Sequence, residues 1–301
     1  MIRSDSLSFS LSFVSFVRLM KQCSAKAQKQ TLIVPDKDAD GLSSGVILRR
    51  TLELLGLNPD YITVHLLSKG NNVHTEAERV RMQATAPAYI FVLDQGSRKS
   101  SSVIDAPHTA LVIDHHHANH DDFPLNSKHV TACNSPPVAT SSLLTYHICE
   151  PLHDQVKEQC AWLCVVGTHG DLGSTIKWEP PFPDMKPTFK QFTKKSINDA
   201  VSYVNAPRRT ATYDVRPAWD ALVSAGSPSD VLKHPRLLAA RQEVNAEVER
   251  CTHAAPKFSQ DGKVAVFRIS SEAQVVSLRV SPVPPKAEPE QQTYSMTLQY
   301  D

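Results

Sequence analysis

Glycine is scarce in this chain: ten residues in 301, no two adjacent and none after Gly262. The scarcity excludes a collagenous or glycine-rich low-complexity polymer. It also leaves the C-terminal stretch without a paired-glycine loop for gripping phosphate. Long hydrophobic runs are missing too: no apolar stretch approaches the ~18 residues that span a bilayer, so no membrane role is expected. Charge of one sign is not in excess, with 32 basic against 31 acidic side chains and a formal net charge of +1. Contact with nucleic acid would therefore have to come from a local patch. The six cysteines are not spaced as a disulfide framework. Cys160 and Cys164, four apart in a helical pattern, read as small buried residues in a reducing, cytoplasmic compartment rather than as zinc ligands.

What the chain does carry is 41% apolar residues, enough for one large or two medium cores, and a series of acidic stops after apolar runs. Asp36, Asp38 and Asp40 alternate in Pro35-Asp36-Lys37-Asp38-Ala39-Asp40-Gly41, directly after Leu32-Ile33-Val34. Carboxylates this close repel one another and resist desolvation, and a hard divalent cation is the usual remedy. Further runs end in Val92-Leu93-Asp94-Gln95-Gly96, in Leu111-Val112-Ile113-Asp114-His115-His116, and in Gly167-Thr168-His169-Gly170-Asp171.

From residue 31 to 175 short apolar runs alternate with helix-length amphipathic segments, the pattern of an α/β parallel sheet flanked by helices. Strands are expected near 31–35, 61–66, 89–94 and 109–113, and helices over 42–55, 73–82, 138–149 and 155–166. Ligands gather at the carboxyl ends of such strands, where Asp36, Asp38, Asp40, Asp94 and Asp114 fall. The organisation expected is a disordered or targeting arm over 1–30, a metal-binding catalytic domain over 31–175, a helical extension and connecting helix over 176–255, a remnant of a second α/β domain over 256–274, and a proline-rich disordered tail over 275–301. Within the extension, one helical region is expected over 187–204 and a long helix over 235–250. The arm has seven serines, five basic residues and one acid; it resembles a mitochondrial presequence.

The ordered set DxDxDG, VLDxG, DHH and GTxxD resembles the DHH phosphoesterase superfamily. The DxDADG form of the first motif, with Val34 where other branches carry His, is most similar to the RecJ-like branch. Val204-Asn205-Ala206-Pro207-Arg208-Arg209 resembles the Asn-Ala-x-x-Arg element that follows the fourth motif, and Arg241-Gln242-Glu243-Val244-Asn245 the helix joining the family's two domains. The resemblance implies two divalent metal ions, Mn2+ or Mg2+. Asp36 and Asp38 would favour one ion, Asp40, His115 and Asp171 the other, and Asp94 would bridge both. Asp114 would hold a ligand imidazole in its tautomer, and His116 would face the scissile phosphate or support the metal shell. Asp94, Asp114, His115 and His116 are thus the implied catalytic group, and Asn205, Arg208 and Arg209 the substrate contacts, since a guanidinium matches phosphate oxygens in pairs.

Read alone, each motif has a plainer explanation. Aspartates after strands cap helices and make turns. Paired histidines occur in surface loops, which is how His117 and His120 read, and His169 takes no role. Ser43 and Ser44 fit a helix cap or a phosphate-receiving helix start. Lys186, Lys190 and Lys194 recur every four residues, as a phosphate-tracking face or a solvated one. The implied activity is a manganese- or magnesium-dependent phosphoesterase, exonuclease-like or exopolyphosphatase-like, acting on an oligonucleotide, polyphosphate or cyclic dinucleotide. Active relatives close the site with a glycine-rich second lobe, which here reads as truncated after its first strand. The alternative is a non-catalytic or partner-dependent scaffold, because some relatives have lost ligands and serve as subunits of replication machinery.

Overall fold

Strand β1 (Thr31–Pro35) is buried along its whole length because it lies inside a sheet covered on both faces. The structure, a computed structural model, describes residues 27–253, 255, 257–261, 264–274 and 295–299. Strand β1 is joined by β2 (Ile62–Val64), β3 (Tyr89–Leu93), β4 (Thr109–Ile113) and β5 (Ser127–Val130) in the order β2-β1-β3-β4-β5, every pair parallel. Continuous apolar runs suit such doubly covered strands. Ile33, Phe91, Leu93, Leu111 and Ile113 enter the larger core, and Leu32, Val34, Ile90, Val92, Ala110 and Val112 the smaller one on the other face, as strand alternation requires.

The larger face is covered by α1 (Ala39–Leu54), α3 (Ser141–Cys149) and α4 (Gln155–Leu172), and the other face carries α2 (Glu76–Ala84), which buries Met82. Helices α5 (Lys186–Gln191), α6 (Lys194–Asn205), α7 (Arg216–Ser224), α8 (Pro228–Val231) and α9 (Pro235–Thr252) follow. Arg50 ties the helical layer together: its guanidinium donates to the carbonyls of Gln159 at 2.7 Å, Leu222 at 3.1 Å and Ala225 at 2.6 Å. It also lies 5.9 Å from the Trp162 ring centre. These carbonyls include the open C-terminal end of α7, where a cation is favoured.

Chain order and sheet order part company at β1: the chain passes to β2 on one side and then to β3 on the other. The crevice at the carboxyl ends of β1 and β3 is thus the switch point where such sheets bind ligands. Beyond the main sheet, β6 (Lys257–Phe258), β7 (Val264–Arg268) and β8 (Ser295–Gln299) form a small sheet in that order.

Five differences from the sequence expectations have local causes. Strand β5 was not anticipated, because Ser127-Lys128-His129-Val130 carries a single aliphatic residue at an edge position. Helix α2 starts at Glu76 rather than Val73, after Thr75. Helix α4 continues past Val166 to Leu172, so Asp171 sits in its last turn. The expected 187–204 helix is two helices: Phe192 is extended and Thr193 caps α6 by accepting from the Ser196 amide. That break puts Lys194 on a different helix from Lys186 and Lys190. Residues 295–299, assigned to the tail, pair in parallel with β7. The rest of the expected tail, and the expected arm up to residue 26, lie outside the described residues. Among the described residues five cysteines are free, and no helix is long and apolar enough to cross a membrane.

Candidate metal centre

The first acidic motif leaves β1 as the chain turns into α1. The Asp36 amide donates to the Leu93 carbonyl at 2.9 Å, pinning the exit of β1 to β3. Asp38 is the N-cap of α1, its Oδ1 accepting from the amides of Asp40 and Gly41 at 3.2 Å each. The capping reading is therefore correct for Asp38, and it does not exclude metal binding, since the second carboxylate oxygen is not used by the cap. Gly41 is required by space: a Cβ there would lie 2.7 Å from the Asp36 backbone N and O. Ser43 and Ser44 are fully buried within α1 and cap nothing.

Asp40 is fully buried. Its Oδ2 accepts from the Ser141 amide at 2.7 Å and its Oδ1 from the Ser142 amide at 2.9 Å. The N-terminus of α3 thus supplies fixed positive dipoles to a carboxylate from α1. Burial, followed by the Asp171 charge, pushes the Asp40 carboxyl up to about 6, against the Ser142 hydrogen bonds.

Asp94 ends β3 with φ +63°, a conformation uncommon for a non-glycine residue. Its amide donates to the Ile113 carbonyl at 2.9 Å, and its Oδ1 accepts from Ser141 Oγ at 2.9 Å. Burial and the charges of Asp40, Asp38, Asp171 and Asp36 raise its carboxyl well above the usual range. Burial and Asp38 likewise raise Asp36.

After β4, buried Asp114 accepts from the Ser97 amide at 3.0 Å and from His116 Nδ1 at 2.7 Å. Burial opposes its charge, but the hydrogen bonds from His116 and Ser97 outweigh it and hold the carboxyl low. The same contact pushes the His116 imidazole up to about 8. Asp114, expected to hold a ligand imidazole, bonds His116 rather than His115, the histidine expected as a ligand. His115 points the other way: its Nε2 lies 3.0 Å from Asp171 Oδ2 and 3.3 Å from Asp94 Oδ1. This buried nitrogen therefore sits in ion-pair range of two carboxylates.

Among the described residues, three sets of donor atoms converge to within 4.8 Å: Asp36, Asp38 and Asp94; Asp40, Asp94, His115 and Asp171; and Asp94, His115 and His116. Asp94 is common to all three. The donors fit hard divalent ions, being carboxylate oxygens with one or two imidazole nitrogens. The mutual repulsion of these carboxylates is what bound cations would relieve.

The substrate contacts expected from sequence divide. Asn205 is buried at the end of α6, and its Oδ1 accepts from the Ala39 amide at 3.1 Å and Arg208 Nε at 3.2 Å. Its oxygen therefore positions the start of α1 and Arg208. Arg209 is half-buried, feels the charges of Arg208, Arg241 and Asp38, and has its Nε without a hydrogen-bond partner among the described residues. His169 turns from the centre to Asn198, with Nδ1 2.9 Å from its Oδ1. Sequence reasoning missed Ser141 and Ser142. The available signal was Thr140-Ser141-Ser142 after the Asn134–Pro137 breaker, a run suited to a helix N-terminus.

Residues 30–168 match the DHH family, N-terminal domain, and the chain carries a DHH domain there. A comparison with curated proteins finds no match. Among solved structures, exonuclease RecJ bound to manganese is 19% identical, with 85% of this chain and 72% of that chain covered and a TM-score of 0.60. RecJ in complex with Mn2+ from Thermus thermophilus is 18% identical, with 87% and 42% covered and a TM-score of 0.60. This chain therefore spans less than half of the Thermus protein. CDC45 from Entamoeba histolytica is 12% identical, with 87% and 78% covered and a TM-score of 0.56. The fold is that of a RecJ-like DHH domain.

Proposed function

We propose that this chain is a two-metal phosphoesterase, using Mn2+ or Mg2+ to hydrolyse phosphodiester bonds in single-stranded or short oligonucleotides. The observation that carries the reading is that Asp94 belongs both to the Asp36–Asp38 group and to the Asp40–His115–Asp171 group. One carboxylate shared by the two groups is suited to a pair of ions. When bound, such ions neutralise phosphate charge and activate water as a nucleophile.

The remaining work falls to the protein's own groups. Asp36, Asp38, Asp40, Asp94, His115 and Asp171 would hold the ions. Ser141, Ser142 and the N-terminus of α3 fix Asp40 and Asp94, so little reorganisation is needed when substrate enters. Asp114 holds Nδ1 of His116, and the exposed side of that ring presents Nε2 to the cleft as a proton donor to the leaving oxygen. Arg209 feels the charges of Arg208, Arg241 and Asp38, and guanidinium groups in one neighbourhood suit phosphate oxygens.

The test is manganese-dependent release of mononucleotide from single-stranded DNA and short RNA, with polyphosphate, pyrophosphate and a cyclic dinucleotide as further arms and Asp94→Ala as control. Release from the oligonucleotides that is lost in the variant supports the reading. Release confined to polyphosphate would replace the substrate class. Manganese binding without turnover on any arm would favour the partner-dependent scaffold.

A further inference from the structure

Lys37 stands between Asp36 and Asp38 in the first motif, and the reading above gives it no role. Its Nζ lies 3.5 Å from Asp36 Oδ1, and Asp36 belongs to the set whose donor atoms converge with those of Asp38 and Asp94. The backbone on either side is fixed. The Asp36 amide is bound to the Leu93 carbonyl at 2.9 Å, and Asp38 caps α1. What is free to move is the lysine side chain, a flexible four-carbon stem carrying a point charge. That side chain is 34% exposed, against 18% for Asp36, so it is open to an incoming molecule while still in contact with the carboxylate.

An ammonium has three donors and no acceptor. It cannot join the carboxylates as a metal ligand, and on Asp36 it stands where it opposes a bound cation. Without an ion it offsets part of the repulsion among Asp36, Asp38 and Asp94. With a divalent ion on the same carboxylate the two positive charges repel, and the lysine gains by turning to an anion. In the phosphoesterase reading that anion is a phosphate, which lysine binds as a point charge.

We propose that Lys37 is a positioning residue that exchanges partners: it neutralises Asp36 in the metal-free protein, and donates to a phosphate oxygen of the substrate once the Asp36, Asp38 and Asp94 set holds an ion. The proposal rests on the phosphoesterase reading and adds a residue from an unassigned position of the first motif.

The test compares the unaltered full chain with Lys37→Met, which keeps the bulk of the stem and removes the charge, and with Lys37→Arg, which keeps the charge. Calorimetry reads the affinity for Mn2+ alone and then for inorganic phosphate with Mn2+ present, and KM and kcat are read on single-stranded DNA. Lys37→Met is expected to bind Mn2+ about fivefold more tightly, the effect of losing a partly exposed competing charge. It should bind phosphate about fivefold more weakly, with the loss in kcat/KM appearing in KM. Lys37→Arg should restore both affinities. Opposite signs in one variant are the signature, because a lysine that only supported the acidic turn would weaken both. Unchanged affinity for either ligand in Lys37→Met, or weakening of both, would overturn the proposal. Failure of the phosphoesterase reading looks different: the unaltered chain itself would release no nucleotide, while both titrations would still compare the three proteins.

Discussion

The backbone N–H of Ser141 donates to Asp40 Oδ2 at 2.7 Å, and the Ser141 hydroxyl donates to Asp94 Oδ1 at 2.9 Å. One residue at the start of α3 therefore holds a carboxylate from each of two separate strand exits. Asp40→Ala should leave the Asp36, Asp38 and Asp94 group intact and reduce manganese binding from two sites to one. Ser141→Ala keeps the amide and should retain both sites with affinity lowered about tenfold, the lower end for a residue supporting a ligand. Isothermal titration with Mn2+ reads both numbers; unchanged stoichiometry in Asp40→Ala would refute its assignment as a ligand.

Gly167 faces this contact from α4. A Cβ there would collide with the Ser142 side chain and lie 3.0 Å from Asp40 Oδ1. Gly167→Ala is expected to cost about 1 to 3 kcal/mol through overpacking, and to weaken manganese binding although no ligand is changed. Urea denaturation with and without Mn2+ separates the two effects. A variant with normal stability and normal affinity would show that α3 and α4 can move apart freely.

Arg50 is a stability residue remote from the acidic cluster. Arg50→Met keeps much of the aliphatic stem over Trp162 but leaves the carbonyls of Gln159, Leu222 and Ala225 without their donor. About 2 kcal/mol of stability should be lost, as for removing hydrogen bonds from a partly buried charged group. Equilibrium denaturation gives the value, and a change below about 0.5 kcal/mol, ordinary for a surface site, would contradict the clasp described above.

Glu78 is fully buried in α2. It accepts from Asn71 Nδ2 at 2.7 Å and from the Ser68 amide at 3.1 Å, meets His65 Nε2 at 2.7 Å, and pairs with Arg81. Burial opposes its charge, yet these hydrogen bonds and Arg81 prevail and hold the carboxyl below its ordinary value. A folded value below the unfolded one, ~4.3, means that this stabilisation is fully present above the unfolded value. It is lost as pH falls through the folded value. Glu78→Gln should cost about 2 kcal/mol at neutral pH and flatten the fall in stability on acidification. Denaturation midpoints at pH 7 and pH 4 for both proteins would show it; parallel losses would assign acid sensitivity to other groups.

The sheet was legible because β1, β3 and β4 are buried on both faces and so read as unbroken apolar runs, each ending in an aspartate. Strand β5 was not legible, because an edge strand with Lys128 and His129 carries no such run. The carboxylates that meet at Asp94 were legible as types and spacings, but their support was not. Asp38 reads equally well as a cap or a ligand from sequence alone, and the structure shows that it does cap. Ser141 acts through its backbone as much as its hydroxyl, and an amide leaves no mark in a sequence. Arg208 and Arg209 were visible as a pair, whereas Arg241, more than thirty positions on, joins them only when α9 returns beside the loop.

The bond between Asp40 and Ser141 closes a loop of 101 residues, which bears on when the metal centre can exist. Asp36 and Asp38 are neighbours in any state of the chain, but Asp40 gains its supporting amides only after the intervening strands have been laid side by side. Closure over that separation is entropically costly and comes late. The unfolded chain therefore offers an ion a few local carboxylates, and the native chain offers the assembled set. A divalent ion held by the proposed set would bind the native state in preference and act as a folding ligand, raising stability with the logarithm of its concentration.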